Sequence, residues 1–346
     1  MALSHVKVGL IGGGGIATEH IKGYQRFADK ITIAAIADAN ESTAAQRAQE
    51  LGVPGYTDYR TMLDEADVDA VDICLPHHLH CAAIVSAAER GKHILCEKPL
   101  CLTAEEARIV QDVVKSSGVT LMSAHNMLFS PDVAKAKELI DEGVIGALYE
   151  IQTMDCFYND FDPAAMGWRG HAKTSGGGEL IDSGYHPTYQ LLYLAGGTPL
   201  ETTAMLSNHR LDFMEGEDSA HVLLRFDNDV VGHIVTSWAY APAPSVPHFS
   251  AVGGLGSLSS TGNSLTYRLL DGTTETFEFE PTETIPSEIG YFADCLISGV
   301  RPLHSEKEGI EALAIILAAY EAARTGTTVP INLPELASAP GAARTN

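Results

Sequence analysis

The sequence is poor in positive charge. Its 346 residues include 22 Lys and Arg against 45 Asp and Glu, so the formal net charge is −23. A surface with this balance repels the phosphate backbone of nucleic acids and the headgroups of anionic membranes. We therefore expect no nucleic-acid partner.

Long hydrophobic runs and paired cysteines are also missing. No stretch reaches the roughly 18 apolar residues of a membrane span, and the start, MALSHVKVGLIGGGG, lacks the pattern of a secretory signal. The six cysteines form no CxxC pair and no zinc-ribbon spacing. These absences predict a soluble, cytoplasmic protein with reduced thiols and no membrane partner.

The first part of the chain alternates between strand-like and helix-like segments. Between residues 6 and 125, helix-like stretches separate five short aliphatic runs, VKVGLIG, ITIAAIAD, AVDICLP, HILCEKP and VTLMSAH. This order is typical of α/β folds. It predicts an N-terminal Rossmann domain, with a doubly wound parallel sheet, over residues 1–125.

The second part follows another pattern. Runs such as AHVLLRF and VGHIVTSWAY alternate polar and apolar residues, and turn signals join them at residues 227–229 and 271–272. We expect a C-terminal α/β domain, residues 126–332, with a large, mainly antiparallel open sheet. Its helix at about 306–325 is expected to pack back on the first domain. Residues 333–346 are expected to form a tail.

A nucleotide-binding turn follows the first strand, where the sequence GGGGIA fits G-x-G-x-x-A directly before a helix. Gly12 would permit the tight turn, and Gly14 would let the backbone approach a pyrophosphate. Ala17 would let the helix pack closely on the strand, with Gly15 and Ile16 completing the turn. These residues are the predicted phosphate contacts.

Asp38 ends the second strand, at the place where a carboxylate accepts hydrogen bonds from ribose hydroxyls. A carboxylate there repels a 2′-phosphate, and the following ANEST offers no arginine to attract one. The sequence therefore predicts NAD rather than NADP as the cofactor.

Reactive side chains occur at two further places. Lys98 lies in CEKPL at the carboxyl end of a strand, the edge at which open α/β sheets bind ligands, and its bond to Pro99 is a position where a cis peptide can occur. Asp182 and His186 lie four residues apart in GGGELIDSGYHPT, a spacing that places both on one face of a helix. That spacing alone fits metal ligands, a structural pair or an acid-base couple.

The run PHHLH at residues 76–80 suggests a metal site at first. Adjacent histidines point in different directions, however, and no cysteine or acid lies nearby at ligand spacing. We predict no metal, and expect His80 to lie near the cofactor.

In combination, these segments resemble the Gfo/Idh/MocA family of glucose-fructose oxidoreductases and inositol dehydrogenases. The resemblance extends to about residue 332 and rests on GGGGIA, Asp38, Pro76 with His80, the EKP of residues 97–99 and GGGELIDSGYH. It implies a Rossmann domain and a second domain whose open sheet joins subunits, here into a homodimer or homotetramer.

The resemblance also implies roles for single residues. Lys98, Asp182 and His186 would meet beside the nicotinamide, with His186 as general acid or base, Asp182 orienting it and Lys98 stabilising charge on oxygen. Histidine titrates in the range that proton transfer from an alcohol needs. Further cofactor contacts are assigned to Pro76, His80 and Glu97.

Substrate contacts are expected from Trp168, Arg169, Asn126, Tyr158 and Tyr185. The chain departs from the family pattern at two places. Met127 and Leu128 stand where relatives often carry an arginine, and Tyr189 stands where an acid is usual.

These features predict an NAD-dependent oxidoreductase that acts on a cyclic polyol or sugar, inositol or sugar dehydrogenase-like in its chemistry. The alternative is an NAD-dependent glycoside hydrolase that works by transient oxidation, elimination, hydration and re-reduction. A third reading is a regulator that senses NAD without turnover.

Overall fold

A computed structural model describes residues 3–241 and 246–333. Six strands form a parallel sheet in the order β3-β2-β1-β4-β5-β6: β1 (Val6–Ile11), β2 (Ile31–Ala37), β3 (Gly55–Tyr56), β4 (Ala70–Ile73), β5 (His93–Cys96) and β6 (Leu121–Ser123). The helices between them are α1 (Gly15–Arg26), α2 (Glu41–Leu51), α3 (Tyr59–Glu65), α4 (His80–Glu89) and α5 (Ala104–Ser117). This strand order is that of a Rossmann fold, as predicted.

The second sheet has nine strands in the order β14-β13-β12-β11-β7-β10-β9-β8-β15. Their bounds are β7 (Leu148–Cys156), β8 (Pro199–Ser207), β9 (Ser219–Phe226), β10 (Val231–Ser237), β11 (Phe249–Gly253), β12 (Gly256–Ser260), β13 (Ser264–Leu269), β14 (Thr274–Glu278) and β15 (Val329–Pro330). Only β7 and β10 pair in parallel. Both predicted turns join antiparallel neighbours, with positive φ at Asp229 (64°) and Gly272 (92°).

Five further helices complete the described chain: α6 (Pro131–Asp141), α7 (Ala172–Ser175), α8 (Tyr185–Ala195), α9 (Thr284–Ser298) and α10 (Glu306–Thr325). A capping box of Ser305 and Glu308 begins α10, and Gly326 at φ 67° ends it. Helix α10 packs on β8 and α8 of the second half and on α5 and β6 of the first. Helix α10 spans the expected range 306–325, and it contacts elements of both halves.

Helix α9 returns to the Rossmann sheet. It packs on α1, where a methyl group added at Gly23 would lie 2.5 Å from Ile289. Its apolar side chains join those of β1 and β4 in one buried cluster. None of the helices in residues 3–241 and 246–333 combines the length and apolar character needed to cross a membrane.

Candidate active site

The glycine turn lies between β1 and α1. Gly12 has φ 96°, and a Cβ there would lie 2.4 Å from the carbonyl oxygen of Cys74, so only glycine fits. A Cβ at Gly14 or Gly15 would meet nothing within 4 Å, and Ala17 is buried against the sheet. The turn therefore presents an open surface at the N-terminus of α1, which favours an anion.

Asp38 closes this turn from the end of β2. Its Oδ2 accepts the Gly13 N–H at 2.8 Å, and its Oδ1 accepts the Asn40 N–H at 2.8 Å. Arg47, on α2, donates to the carbonyl oxygen of Gly13 at 3.1 Å and to the Thr18 hydroxyl at 2.7 Å. The helix thus brings an arginine to the turn, although none lies close to Asp38 in the sequence.

Lys98, Asp182 and Arg169 form an ion cluster. The Lys98 Nζ donates to Asp182 Oδ1 at 2.9 Å and to the Asp182 carbonyl oxygen at 2.8 Å, while Arg169 Nε donates to Oδ2 at 2.8 Å. Burial alone would raise the pKa of Asp182, but Lys98 and Arg169 outweigh it and hold that pKa well below its usual range. The peptide bond between Lys98 and Pro99 is cis.

The expectation that Asp182 and His186 share one helix is wrong. Helix α8 begins only at Tyr185, and Asp182 lies in the turns before it. The Asp182 N–H donates to Glu179 and the His186 N–H to Ser183, so the four-residue spacing is not a helical one. The glycines of this segment favour turns over the helix that the apolar residues suggested.

Glu217 fixes the turns that present Asp182. Its carboxylate accepts the N–H groups of Leu180 at 2.9 Å and Gly178 at 3.2 Å, and the Tyr320 hydroxyl at 3.1 Å. A Cβ at Gly178 would lie 1.9 Å from the carbonyl oxygen of Glu217. This glycine is therefore required by close packing on the segment between β8 and β9.

His186 lies in the first turn of α8 and lines a cleft. Its Nδ1 lies 2.8 Å from the hydroxyl oxygen of Tyr189. Burial, reinforced by the positive charge of Lys98, lowers the pKa of His186 to about 3. The ring is therefore neutral at physiological pH, the form in which it can accept a proton.

The sequence reading missed a buried network beneath Lys98. His20 lies between two carboxylates, with Nδ1 2.8 Å from Asp72 Oδ2 and Nε2 3.0 Å from Glu97 Oε1. The Tyr24 hydroxyl also donates to Asp72, and the Lys98 N–H donates to Glu97 Oε2 at 3.0 Å. An aspartate in the otherwise apolar strand AVDI was the signal for a buried cation.

One imidazolium faces two carboxylates in this network. Burial opposes charge on His20, but Asp72 and its neighbours raise the pKa of His20 well above its ordinary value. Burial also acts against the Glu97 carboxylate, yet His20 lowers the pKa of Glu97 to about 2. Both oxygens of Glu97 are engaged within the chain, and its contact with the nicotinamide ribose stays a prediction.

His80 is buried, with both ring nitrogens engaged within the chain, and its place near the cofactor stays a prediction. Its Nδ1 lies 2.7 Å from the carbonyl oxygen of Pro99 and its Nε2 2.8 Å from that of Leu75. It thereby holds the loop after β4, including the half-buried Pro76, to the turn that carries Lys98. A residue without exposed surface acts here by positioning others.

Two of the histidines in residues 76–80 contact different backbone carbonyl groups. His77 Nδ1 contacts the carbonyl oxygen of Ser175 at 2.9 Å, away from the contacts of His80. In the described part of the chain, His20, Asp72 and Cys74 come within metal-ligand distance of one another. Hydrogen bonds among these three already use the ligand atoms.

The residues predicted to bind substrate are scattered. Trp168 packs edge-on against His77 at 4.4 Å, and Arg169 joins the ion cluster. Tyr158 is exposed and donates to Asp160, which leaves its hydroxyl oxygen able to accept a hydrogen bond from a ligand. Tyr185 is buried and donates to the Gly309 carbonyl oxygen, so its assignment as a substrate residue is wrong.

The cleft beside His186 has a volume of about 520 Å³. Residues of both halves line it, since Met127 follows β6 and Asp155 lies in β7. The remaining polar groups on its walls are Ser130, Asp132, Gln190, His248, Asn263, Glu280, Thr282 and Thr284. Such a wall suits a ligand with many hydroxyl groups.

Two family descriptions match the chain. Residues 6–125 match the oxidoreductase family with an NAD-binding Rossmann fold, and residues 133–259 match the GFO/IDH/MocA C-terminal domain. The chain belongs to the Gfo/Idh/MocA family. It is accordingly an NAD-dependent oxidoreductase of that family.

Similar proteins of this family are named as sugar dehydrogenases. The chain is 36% identical over 205 residues to levoglucosan dehydrogenase of Pseudarthrobacter phenanthrenivorans, a match that spans 56% of this chain and 52% of that protein. It is 31% identical over 272 residues to D-xylose 1-dehydrogenase [NADP(+)] of Haloarcula marismortui, covering 76% and 75%. A solved levoglucosan dehydrogenase, in complex with NADH and levoglucosan, superposes with a TM-score of 0.86 at 28% identity, covering 94% and 99%.

The turn after β1 fits the cofactor of this family. Gly14 and Gly15 leave room at the N-terminus of α1 for a pyrophosphate, and Asp38 stands beside them for a ribose. NAD would be held by these residues. When bound, it supplies a hydride acceptor for oxidation and a hydride donor for reduction.

Proposed function

We propose that this chain oxidises a ring secondary alcohol of a cyclic polyol or sugar, using NAD. The observation that carries the proposal is the pairing of a neutral base with a cation. His186 lines the cleft, and Lys98 is close enough for its charge to lower the pKa of His186. An alcohol needs both groups to lose its proton and a hydride.

Each residue would have a distinct task in this reaction. The free Nε2 of His186 takes the hydroxyl proton, and the Lys98 ammonium stabilises the charge that grows on oxygen. Asp182 holds Lys98 in place through two contacts of 2.8 and 2.9 Å. Arg169, and Trp168 next to it, would contact the substrate from the open side.

The walls of the cleft favour a polyhydroxylated ring. Asp155, Asn263 and Gln190 offer acceptors and donors around a space of about 520 Å³, which matches the usual range for small-ligand sites. Asn126 lies at the same edge, next to Met127. A 2-hydroxy acid would instead call for a cluster of free cations.

A substrate screen tests the proposal. Inositols, monosaccharides and glycosides are incubated with the protein and NAD, and NADH absorbance and aglycone release are followed separately. We expect NADH to accumulate in step with an oxidised polyol or sugar. Aglycone release without net NADH would assign the glycoside hydrolase, and activity confined to 2-hydroxy acids would reject both.

Asp38 and Arg47 should together set the choice between NAD and NADP. Asp38→Asn removes a charge that repels a 2′-phosphate but keeps the shape, while Arg47 lies on the same turn. We expect NADH affinity to fall by about tenfold, the value of a hydrogen bond to a charged group, and NADPH affinity to rise. Fluorescence titration with both nucleotides measures the change.

The matched control adds Arg47→Gln to Asp38→Asn. If Arg47 attracts the 2′-phosphate, the double variant loses the gain in NADPH affinity and keeps the loss for NADH. An unchanged NADH to NADPH preference in Asp38→Asn would reject the role of Asp38.

We further propose a homodimer or homotetramer joined through the outer face of the nine-stranded sheet, in the cytoplasm. On that face Met205 is 80% exposed and Leu223 47%, with Val231 and Val252 beside them. Exposed apolar side chains on an open sheet favour association. Sedimentation that finds only monomers at micromolar concentration would exclude this interface, and a periplasmic fraction would exclude the location.

A further inference from the structure

The ring of His186 has two ends with different surroundings. Its Nδ1 faces inward and lies 2.8 Å from the hydroxyl oxygen of Tyr189, three residues further along α8. Tyr189 is 1% exposed, and its ring stacks on that of His125 at 4.2 Å with an interplanar angle of 9°. The hydroxyl is therefore held in one place.

Each donor and acceptor of the Tyr189 hydroxyl has a neighbouring group that it can pair with. It has one proton to donate and two lone pairs that accept. The Met127 N–H donates to one lone pair at 3.1 Å, and the hydroxyl lies 3.3 Å from Asn126 Oδ1. The Asn126 amide nitrogen donates to Thr284 Oγ1 at 2.9 Å, which leaves the amide oxygen for Tyr189.

One lone pair and one proton then remain for His186 and Asn126. If the Tyr189 proton points to Asn126 Oδ1, the free lone pair accepts a proton carried on His186 Nδ1. The Nε2 of His186 is then unprotonated and can act as a base toward the cleft. If the Tyr189 proton points to Nδ1 instead, Nε2 carries the hydrogen and cannot take the proton of a substrate.

We propose that Tyr189 is the positioning residue that fixes the tautomer of His186, by passing the hydrogen bond of Nδ1 on to the amide oxygen of Asn126. The proposal rests on the role of His186 in the proposed function. Tyr189 occupies the place where an acid is usual, so in this chain a neutral hydroxyl, rather than a carboxylate, accepts the hydrogen bond from Nδ1.

The proton balance of the oxidation fits this relay. The substrate O–H bond breaks and its proton moves to His186 Nε2, while the C–H bonding pair leaves with hydrogen as hydride to bound NAD. The ring becomes an imidazolium whose Nδ1–H is already accepted by Tyr189. No group other than His186 gains charge, because burial raises the pKa of Tyr189 well above its ordinary value and keeps it neutral.

A neutral partner has a different effect on basicity from a carboxylate. A carboxylate at Nδ1 would favour the imidazolium and raise the pKa of His186, whereas a hydroxyl does so only weakly. Among the other ionisable groups near the ring, Lys98 disfavours the imidazolium, and Glu97 and Asp182 favour it. Burial lowers the pKa of His125, which stacks on Tyr189, well below its ordinary value. His186 therefore stays ready to accept a proton at mildly acid pH.

The Tyr189→Phe variant tests the relay, because phenylalanine keeps the stack on His125 and removes only the hydroxyl. We expect kcat to fall by about ten- to a hundredfold with little change in KM, since Nδ1–H loses its acceptor and the ring turns to the other tautomer. The acid limb of the kcat profile should move to lower pH. A purely structural role would lower activity without moving that limb.

The Asn126→Asp variant tests the same relay in the opposite direction. A carboxylate at this position accepts the Tyr189 proton more strongly, which stabilises the imidazolium through the hydroxyl. We expect the acid limb to move to higher pH in Asn126→Asp, and the double variant with Tyr189→Phe to keep the limb of Tyr189→Phe alone. A limb at higher pH in the double variant than in Tyr189→Phe would show that Asn126 acts on His186 without Tyr189.

Nitrogen-15 NMR of histidine-labelled protein observes the tautomer without turnover. The His186 signals are assigned by their loss in His186→Gln. We expect a proton on Nδ1 in the wild type and on Nε2 in Tyr189→Phe; the same tautomer in both proteins would overturn the proposal. If no substrate is found, the proposed function fails while this measurement still decides the relay.

Discussion

Replacing Lys98 by methionine is expected to lower kcat/KM by about a hundred- to a thousandfold, the usual effect of removing one group that stabilises an oxyanion. Methionine keeps the length of the side chain and removes its charge. Asp182 keeps Arg169 as a partner at 2.8 Å, so the turns before α8 should hold. Steady-state kinetics on the substrate found in the screen measures the loss.

The pH profile makes this prediction specific to charge. Lys98 lowers the pKa of His186, so its removal should move the acid limb of kcat/KM to higher pH. Arg169→Met is the matched control, since Arg169 contacts the same carboxylate but is about half exposed. Unchanged NADH binding would show that Lys98→Met is folded, and a loss under tenfold with no shift of the limb would contradict the assignment of Lys98.

Replacing His20 by glutamine is expected to lower the free energy of unfolding by about 3–5 kcal/mol at neutral pH, because it leaves buried carboxylates without their cation. Asp72 and Glu97 lie 2.8 and 3.0 Å from the ring nitrogens, and neither acid has much exposed surface. Urea denaturation followed by circular dichroism measures the loss. Because Glu97 accepts the Lys98 N–H, turnover should also fall.

The pKa shifts of His20 and Glu97 determine how the stability of the fold changes with pH. The pKa of His20 is raised in the folded chain, so its stabilisation is fully present below its unfolded pKa of about 6.5 and is lost as pH rises through the folded value. Glu97 has a lowered pKa, so its share is present above about 4.3 and is lost as pH falls toward about 2. Tyr24, Cys74 and Glu288 are also close to the ring, and burial raises the pKa of each, which favours their neutral forms.

Without the imidazolium, the remaining carboxylates take up protons more readily. The destabilisation of His20→Gln should therefore be smaller near pH 4.5 than near pH 7. His171→Gln is the control, since His171 contacts Glu215 at 3.2 Å with both side chains more than half exposed. It should change stability little. Equal effects of the two substitutions would show that His20 carries no buried charge.

Local signals were sufficient for much of the fold and of the site. The β1 turn, Asp38 at the end of β2 and Lys98 at the end of β5 could be placed because each follows a strand whose direction is fixed by a parallel sheet. The antiparallel turns at residues 227–229 and 271–272 contain residue types that favour a turn with positive φ. These features depend on neighbours in the sequence.

Features that depend on distant residues could not be predicted in the same way. The spacing of Asp182 and His186 suggested a helix, but Glu217, 35 residues after Asp182, holds their segment in turns through backbone N–H groups. Tyr185 was expected to contact the substrate, yet its hydroxyl donates to the carbonyl oxygen of Gly309, about 100° around the helix from His186. His20 acquires its charge only from Asp72 and Glu97.

The packing of α9 on α1 affects how the chain folds during its synthesis. Ile289, Phe292 and Leu296 cover the same side of the Rossmann sheet as Val6 and Tyr24. A nascent chain that has emerged only to residue 125 therefore holds a complete set of six strands with one wall bare, and that wall is closed by residues made more than 150 positions later. The nucleotide-binding half therefore completes its packing only after the substrate half has been synthesised. A chain truncated between the two halves exposes an apolar surface that chaperones would bind.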